Sequence, residues 1–140
     1  MTSDQVNLVQ HSFAKVVPVA DQAATLFYER LFETTPAVKP LFHGDMIEQR
    51  RKLVATLAAV VAGLGNLEAV LPAASALAKR HVGYGVKPEH YGSVGSALLW
   101  TLERSLSDAW TRELASAWAA AYGTLSGFMI GEAYGPAAAA

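Results

Sequence analysis

The sequence predicts an all-α protein, and three observations support this class. Apolar residues recur at three- and four-residue intervals along most of the 140 residues, which is the spacing that places side chains on one face of a helix. Proline and glycine interrupt these stripes where helices would end. No segment of any length shows the apolar and polar alternation that favours a strand. We therefore expect one domain over residues 1–135 and a disordered tail at 136–140.

The first two helices are predicted by their stripes and by the residues that bound them. Thr2 and Gln5 have the spacing of a capping box, and the stripe that follows continues until Pro18. A second stripe starts at Ala20 and ends near Glu33. The apolar positions are Val6, Val9, Phe13 and Val16 in the first helix and Ala24, Phe27 and Leu31 in the second.

The middle of the chain is divided by loops and prolines. A short helix is expected over 36–42, where proline occupies the first position, and the loop 43–45 leads into a long helix over about 47–64. Pro72 is predicted to begin the next helix, whose stripe ends at His81. That stripe consists of Ala74, Leu77, Ala78 and His81.

Two further helices complete the chain. Gly83 and Gly85 break the helix that ends beyond His81, and Pro88 opens the next one. Thr111 is predicted to cap the last helix. Their stripes are Tyr91, Val94, Leu98, Leu102 and Leu106, then Leu114, Trp118, Ala121, Leu125 and Phe128.

Composition excludes several classes of protein. Hydrophobic residues make up 52% of the chain and charged residues 16%, which is more apolar than a typical soluble domain. The longest apolar stretch, 53–64, is too short to span a bilayer, so no membrane association is expected. Residues 1–15 lack the basic start and apolar run of an export signal. The expected location is the cytoplasm.

Charge and cysteine content exclude further classes. Eleven basic and twelve acidic residues leave a net charge of −1, so there is no basic surface for nucleic acid. The chain has no cysteine, which excludes disulfides, thiolate metal sites, thiol nucleophiles and covalent cofactor attachment through cysteine pairs. Any cofactor must be held by other ligands.

The four histidines differ in their placement. His11 lies off the first stripe, His43 lies in a loop, and His90 lies in the opening turn of a helix. Each of these three is expected to be solvated or locally hydrogen-bonded. His81 instead closes an apolar stripe beside two glycines. Spacing alone leaves two interpretations of His81 open, a satisfied core histidine and a metal ligand.

A series of short runs is found in one register over nearly the whole chain. The most specific is Phe27–Phe32, followed by Pro36 and Pro40–Phe42. The others are Gln49 with Lys52-Leu53, the segment 66–72, Lys79-Arg80-His81, Gly85-Val86, His90-Tyr91 with Val94-Gly95, and Ala117-Trp118 with Ala121-Tyr122-Gly123. This series resembles bacterial single-domain haemoglobins and the globin domain of flavohaemoglobins. The resemblance implies the globin fold, with about seven to eight helices packed round a haem pocket.

The resemblance implies that His81 is the proximal ligand to the iron of a non-covalently bound haem b. Phe42 matches the aromatic residue that packs flat against the porphyrin. Lys52, Lys79 and Arg80 are candidates for pairing with the haem propionates, and the alternative for each is a solvated charge.

On the gas-binding side, the resemblance implies roles for Tyr28, Gln49 and Leu53. Oxygen bound to ferrous iron acquires negative charge, so the hydroxyl of Tyr28 or the amide of Gln49 would favour it over neutral carbon monoxide. Leu53 matches the apolar residue that crowds the iron. The alternatives are a helix-interface tyrosine and a solvent-facing glutamine. Glutamine is a poor iron ligand, which predicts a pentacoordinate or water-ligated site.

Behind the iron, Tyr91 matches the tyrosine that flavohaemoglobins place near the proximal ligand. A carboxylate on the last helix usually completes that arrangement and makes the imidazole more basic. Counted forward from Tyr122-Gly123 without a gap, the carboxylate is expected at the position of Ala133. The nearby acid Glu132 is one residue early and is rotated by about 100° round the helix. This departure predicts a weaker electron donor at His81.

Four functions are compatible with these sequence features. The leading one is reversible oxygen binding, for transport, storage or scavenging. The second is nitric oxide dioxygenation with an external flavin reductase, with a pseudo-peroxidase side activity as a further enzymatic possibility. The third is a gas sensor, and the fourth is a helical bundle without a cofactor. The expected ligands are oxygen, nitric oxide and carbon monoxide, and the expected state is a monomer or a homodimer.

Overall fold

A computed structural model describes residues 1–135, and the tail predicted at 136–140 lies outside them. The described residues form six α-helices and four short 3-10 segments, with no strand among them. The all-α class is confirmed. The helices are α1 (Ser3–Val16), α2 (Ala20–Thr34), α3 (Met46–Ala62), α4 (Leu67–Gly83), α5 (Pro88–Leu106) and α6 (Arg112–Tyr134).

Six α-helices within residues 1–135 are fewer than the seven to eight expected. The difference arises because connecting segments form tighter 3-10 turns. The longest of these, Pro36–Leu41, contains Pro40 as well as Pro36, and each proline lacks the amide hydrogen that a continuous α-helix needs.

Side-chain caps define three of the helix starts. The Thr2 hydroxyl accepts from the amide of Gln5 at 3.1 Å, and the Gln5 side chain accepts from the amide of Thr2 at 3.0 Å. The Thr111 hydroxyl accepts from the amide of Leu114 at 3.1 Å. Both predicted caps are confirmed. Asp45 caps α3 in the same way through the amide of Ile47.

The prediction that Pro72 begins a helix is wrong. Helix α4 begins at Leu67 and contains Pro72, which cannot donate to the carbonyl of Glu68 and costs about 3 kcal/mol in a helix interior. Packing offsets this cost, because Ala74 and Ala78 of α4 are buried in a cluster shared with α6. Tertiary contact therefore overrides the local signal of the proline.

The apolar core has two parts. The larger part, which we call the main core, includes buried residues of α1, α2, α3, α5 and the first half of α6. The smaller part, which we call the proximal cluster, joins α4 to the second half of α6 and contains Ala74, Ala78, Tyr91 and Met129. Helix α3 packs on α1 and α2, whereas α4 packs on α6. The consecutive helices α3 and α4 consequently make no extended contact with each other.

Among residues 1–135, no single helix combines the length and the apolar character needed to cross a membrane. One bent pair, Met46–Ala62 with Leu64–Gly83, passes the test together on length and composition alone, with a bend of 50°.

A close helix contact at Gly95 gives a first prediction. A Cβ at Gly95 would lie 2.7 Å from a ring carbon of Tyr122, whose hydroxyl is held by the carbonyl of Tyr91 at 2.6 Å. The ring cannot move without losing this bond. We expect Gly95→Ala to lower the free energy of unfolding by roughly 1–3 kcal/mol in equilibrium denaturation.

Gly92 provides a matched control for this prediction. It lies in the same helix, and a Cβ there would meet no atom within 4 Å. Gly92→Ala should raise the free energy of unfolding by about 0.5–1 kcal/mol, because alanine loses less backbone entropy in a helix. Equal effects of the two substitutions on the free energy of unfolding would show that the ring of Tyr122 does not exclude a side chain at position 95.

Candidate haem site

Three predicted residues on one side of the site are in mutual contact. The Gln49 amide in α3 donates to the Tyr28 hydroxyl in α2 at 3.1 Å. The Tyr28 ring meets the Phe42 ring edge to face, with centroids 5.4 Å apart. The hydrogen bond to the Tyr28 hydroxyl directs the half-buried side chain of Gln49 at Tyr28 rather than at solvent. Residues of α2, of α3 and of the segment between these helices thus form one group, which we call the distal group.

The proton of the Tyr28 hydroxyl is the chemically useful feature of the distal group. Burial raises the pKa of Tyr28, and the hydrogen bond from Gln49 acts in the opposite direction. The hydroxyl therefore stays protonated at neutral pH. Its oxygen accepts from Gln49, and its own hydrogen has no acceptor among the hydrogen bonds of residues 1–135. Tyr28 is left with one hydrogen to donate to a ligand.

Leu53 lies one helical turn beyond Gln49 on α3, where it is partly buried against the main core. Leu53 and Phe27 also line a small apolar pocket between α1, α2, α3 and α5. The turn of α3 that follows Gln49 therefore presents apolar surface at Leu53.

His81 lies in the last turns of α4 and is half-buried. Its Nδ1 is 2.8 Å from the carbonyl oxygen of Leu77. Because a carbonyl can only accept, Nδ1 carries the hydrogen and Nε2 keeps its lone pair. Burial lowers the pKa of His81, and the charge of Arg80 adds to this, while the bond to Leu77 opposes it. The neutral imidazole that a metal requires is therefore favoured.

The ring of Tyr91 stacks on the ring of His81, with centroids 6.4 Å apart and an interplanar angle of 29°. The Tyr91 hydroxyl is buried and has no hydrogen-bond partner within the described residues. Burial, with a contribution from Tyr134, raises the pKa of Tyr91 to about 12. Ala133 packs against the proximal cluster, whereas Glu132 is exposed. No carboxylate in residues 1–135 meets the Tyr91 hydroxyl.

The distal group and His81 belong to segments that touch at one end. Leu41, which precedes Phe42, has its Cδ2 atom 3.2 Å from the position of a Cβ at Gly85, four residues after His81. Beyond this contact, α3 and α4 do not pack along each other. The two helices that carry Gln49 and His81 are therefore separated along their lengths.

The predicted cationic residues and the other histidines lie outside these contacts. Lys52, Lys79 and Arg80 are exposed, and neither of the two ion pairs in residues 1–135 includes them. Their pairing with propionates stays a prediction. His11 and His43 are exposed, and the ring of His90 accepts from the amide of Lys87.

Two tyrosines of α6 were missed as site residues by the sequence analysis. The Tyr122 hydroxyl donates to the carbonyl of Tyr91 at 2.6 Å, and the Tyr134 hydroxyl donates to the carbonyl of Val86. Apolar periodicity does not identify them. A partly buried tyrosine hydroxyl requires a hydrogen-bond partner, and this chemical requirement could have indicated that both contact the neighbouring backbone.

This set of side chains fits a haem. The porphyrin supplies four nitrogens, and the protein needs to add one neutral imidazole, which His81 offers with Nε2 free. Phe42 and Leu53 provide apolar surface, and Tyr28 provides a donor. The fold and the site together define an all-α domain with one half-buried imidazole available to a metal and a hydroxyl donor on a separate helix.

Comparison with known proteins agrees with this class. The Globin family model matches residues 25–129, and the chain belongs to the globin family. A bacterial globin from Campylobacter jejuni superposes with a TM-score of 0.81 at 27% identity, over 94% of this chain and 95% of the other. The globin fold expected from the sequence is confirmed, and membership of the family supports haem and gas binding in general.

The similar curated proteins are flavohemoproteins. That of Rhodopirellula baltica is 34% identical over 134 residues, covering 94% of this chain and 33% of the relative. That of Bordetella parapertussis is 36% identical over 135 residues, covering 94% and 34%. The chain spans about one third of the length of these relatives. The predicted resemblance to the globin domain of flavohaemoglobins is therefore confirmed.

Proposed function

We propose that this protein binds haem b non-covalently through His81 and binds oxygen reversibly, as an oxygen carrier, store or scavenger. The observation that supports this most strongly is the hydrogen bond from Gln49 to Tyr28. It leaves a protonated hydroxyl with a free hydrogen on the distal side. The haem iron, when bound, supplies the position at which a diatomic gas coordinates.

Each side chain has a distinct part in this proposal. His81 binds through Nε2, because Nδ1 is engaged by Leu77. Tyr28 donates a hydrogen bond to a ligand that carries negative charge. Gln49 orients the Tyr28 hydroxyl, and Phe42 and Leu53 exclude water with apolar surface.

Nitric oxide dioxygenation is the second candidate, favoured by the similarity to flavohemoproteins over the globin-sized region. It would require a flavin reductase as electron donor. The surroundings of His81 disfavour efficient turnover of nitric oxide. The His81 Nδ1–H bonds to a neutral carbonyl, and no carboxylate within residues 1–135 meets the Tyr91 hydroxyl. An imidazole without an anionic partner is a weaker electron donor to the iron.

Spectra and product analysis distinguish these candidates. We expect the purified protein to bind one haem with a Soret band, and its ferrous form to give distinct, reversible spectra with oxygen and carbon monoxide. With nitric oxide and a supplied flavin reductase, we expect one stoichiometric burst of nitrate per haem. Sustained nitrate production would favour the enzyme. If no Soret band develops after haem is added, the proposal is wrong, with free haem in buffer as the control.

A further inference from the structure

The turn after His81 has a defined hydrogen-bond pattern. The amide of Val86 donates to the carbonyl of His81 at 3.1 Å, and the amide of Gly85 donates to the carbonyl of Val82 at 3.0 Å. Together with the positive φ of 90° at Gly85, these bonds form a Schellman motif. In this motif the His81 carbonyl accepts the longer-range bond, so the position of Val86 and that of His81 are coupled.

The last turn of α6 contacts this motif from outside. The Tyr134 hydroxyl donates to the carbonyl of Val86, so Val86 is held through its amide by His81 and through its carbonyl by α6. Burial raises the pKa of Tyr134, and the negative charge of Glu89 adds to this. The hydroxyl therefore remains a donor at neutral pH.

A second tyrosine of α6 holds the first turn of α5, which follows this connection. The Tyr122 hydroxyl donates to the carbonyl of Tyr91, and the ring of Tyr91 stacks on that of His81. Tyr122 and Tyr134 are separated by about 18 Å along the axis of α6. The turn after α4 and the first turn of α5 are thus both attached to α6.

We propose that Tyr134 is a positioning residue for His81. Its hydroxyl holds Val86 and, through the Schellman motif, the end of α4 that presents the imidazole. This inference rests on the proposed role of His81 as the iron ligand. The residue before Tyr134 on α6, Ala133, carries no charge, and Tyr134 contributes a contact to the backbone of the turn.

The variant Tyr134→Phe tests this proposal because it removes the hydroxyl and keeps the ring in the proximal cluster. Resonance Raman spectra of the ferrous, ligand-free holoprotein report the stretching frequency of the iron–histidine bond. We expect Tyr134→Phe to shift or broaden this band. In the carbon monoxide complex, hydrogen exchange of the Val86 amide should accelerate by roughly two- to tenfold, the effect of one lost hydrogen bond.

Tyr84→Phe is the matched control. Tyr84 lies in the same turn, and 58% of it is exposed, so loss of its hydroxyl should leave both readouts unchanged. Exchange at Val9, which is fully buried in α1, reports global stability. Equal acceleration at Val9 and Val86 would overturn the proposal, since Tyr134 would then be a general stabiliser.

The failure of this inference can be distinguished from the failure of the proposed function. If the unaltered protein binds no haem, the proposed function is wrong. If it binds haem and Tyr134→Phe leaves the iron–histidine band and the Val86 exchange rate unchanged, haem binding stands and the role of Tyr134 is refuted.

Discussion

Replacing His81 with glycine is expected to abolish the axial ligation of haem iron. Among the histidines of residues 1–135, only His81 has its ring stacked on a residue of the proximal cluster, Tyr91. His11 and His43 are exposed, and His90 caps α5. Without the His81 imidazole, the ferrous carbon monoxide complex should lose the spectrum typical of a histidine-ligated haem. Added imidazole should restore that spectrum by occupying the space of the missing side chain.

His43→Ala is the control for His81→Ala, because it removes a histidine that is not the proposed iron ligand. His43 lies exposed in the loop before α3, so its replacement should change neither the spectrum nor the haem affinity. A His81→Ala protein with the same ferrous and carbon monoxide spectra as the unaltered protein would refute the assignment of the ligand.

Tyr28→Phe is expected to accelerate oxygen dissociation by roughly ten- to a hundredfold, because a hydrogen bond to a charged partner contributes about 1.5–3 kcal/mol. Tyr28 is only 5% exposed, so water cannot readily replace the lost donor. Carbon monoxide carries little negative charge, and its dissociation rate should change by less than about threefold. Stopped-flow ligand displacement measures both rates.

Gln49→Leu provides the comparison for this result. In the structure Gln49 donates to Tyr28, so its expected role is to orient the hydroxyl, and its loss should have a smaller effect than that of Tyr28. In a double-mutant cycle, the two effects should be strongly non-additive. Additive effects would contradict the arrangement, because they would mean that each side chain acts on oxygen independently.

The sequence by itself determined most of the helical framework. Apolar spacing and caps depend on neighbours within one or two turns, so Thr2 and Thr111 marked helix starts that the structure confirms. The same local pattern placed His81 at the end of an apolar stripe. Family resemblance was needed to interpret it as an iron ligand, because periodicity alone cannot distinguish a ligand from a core histidine.

Tertiary structure decided the features that depend on residues far apart in the chain. Pro72 lies inside α4 because packing on α6 offsets the lost backbone bond. The bond between Tyr28 and Gln49 exists because α2 and α3 pack together. The Tyr91 hydroxyl has no anionic partner in the described residues, and the Tyr134 hydroxyl of α6 reaches the carbonyl of Val86. Such contacts are set by how whole helices pack, so local spacing does not contain them.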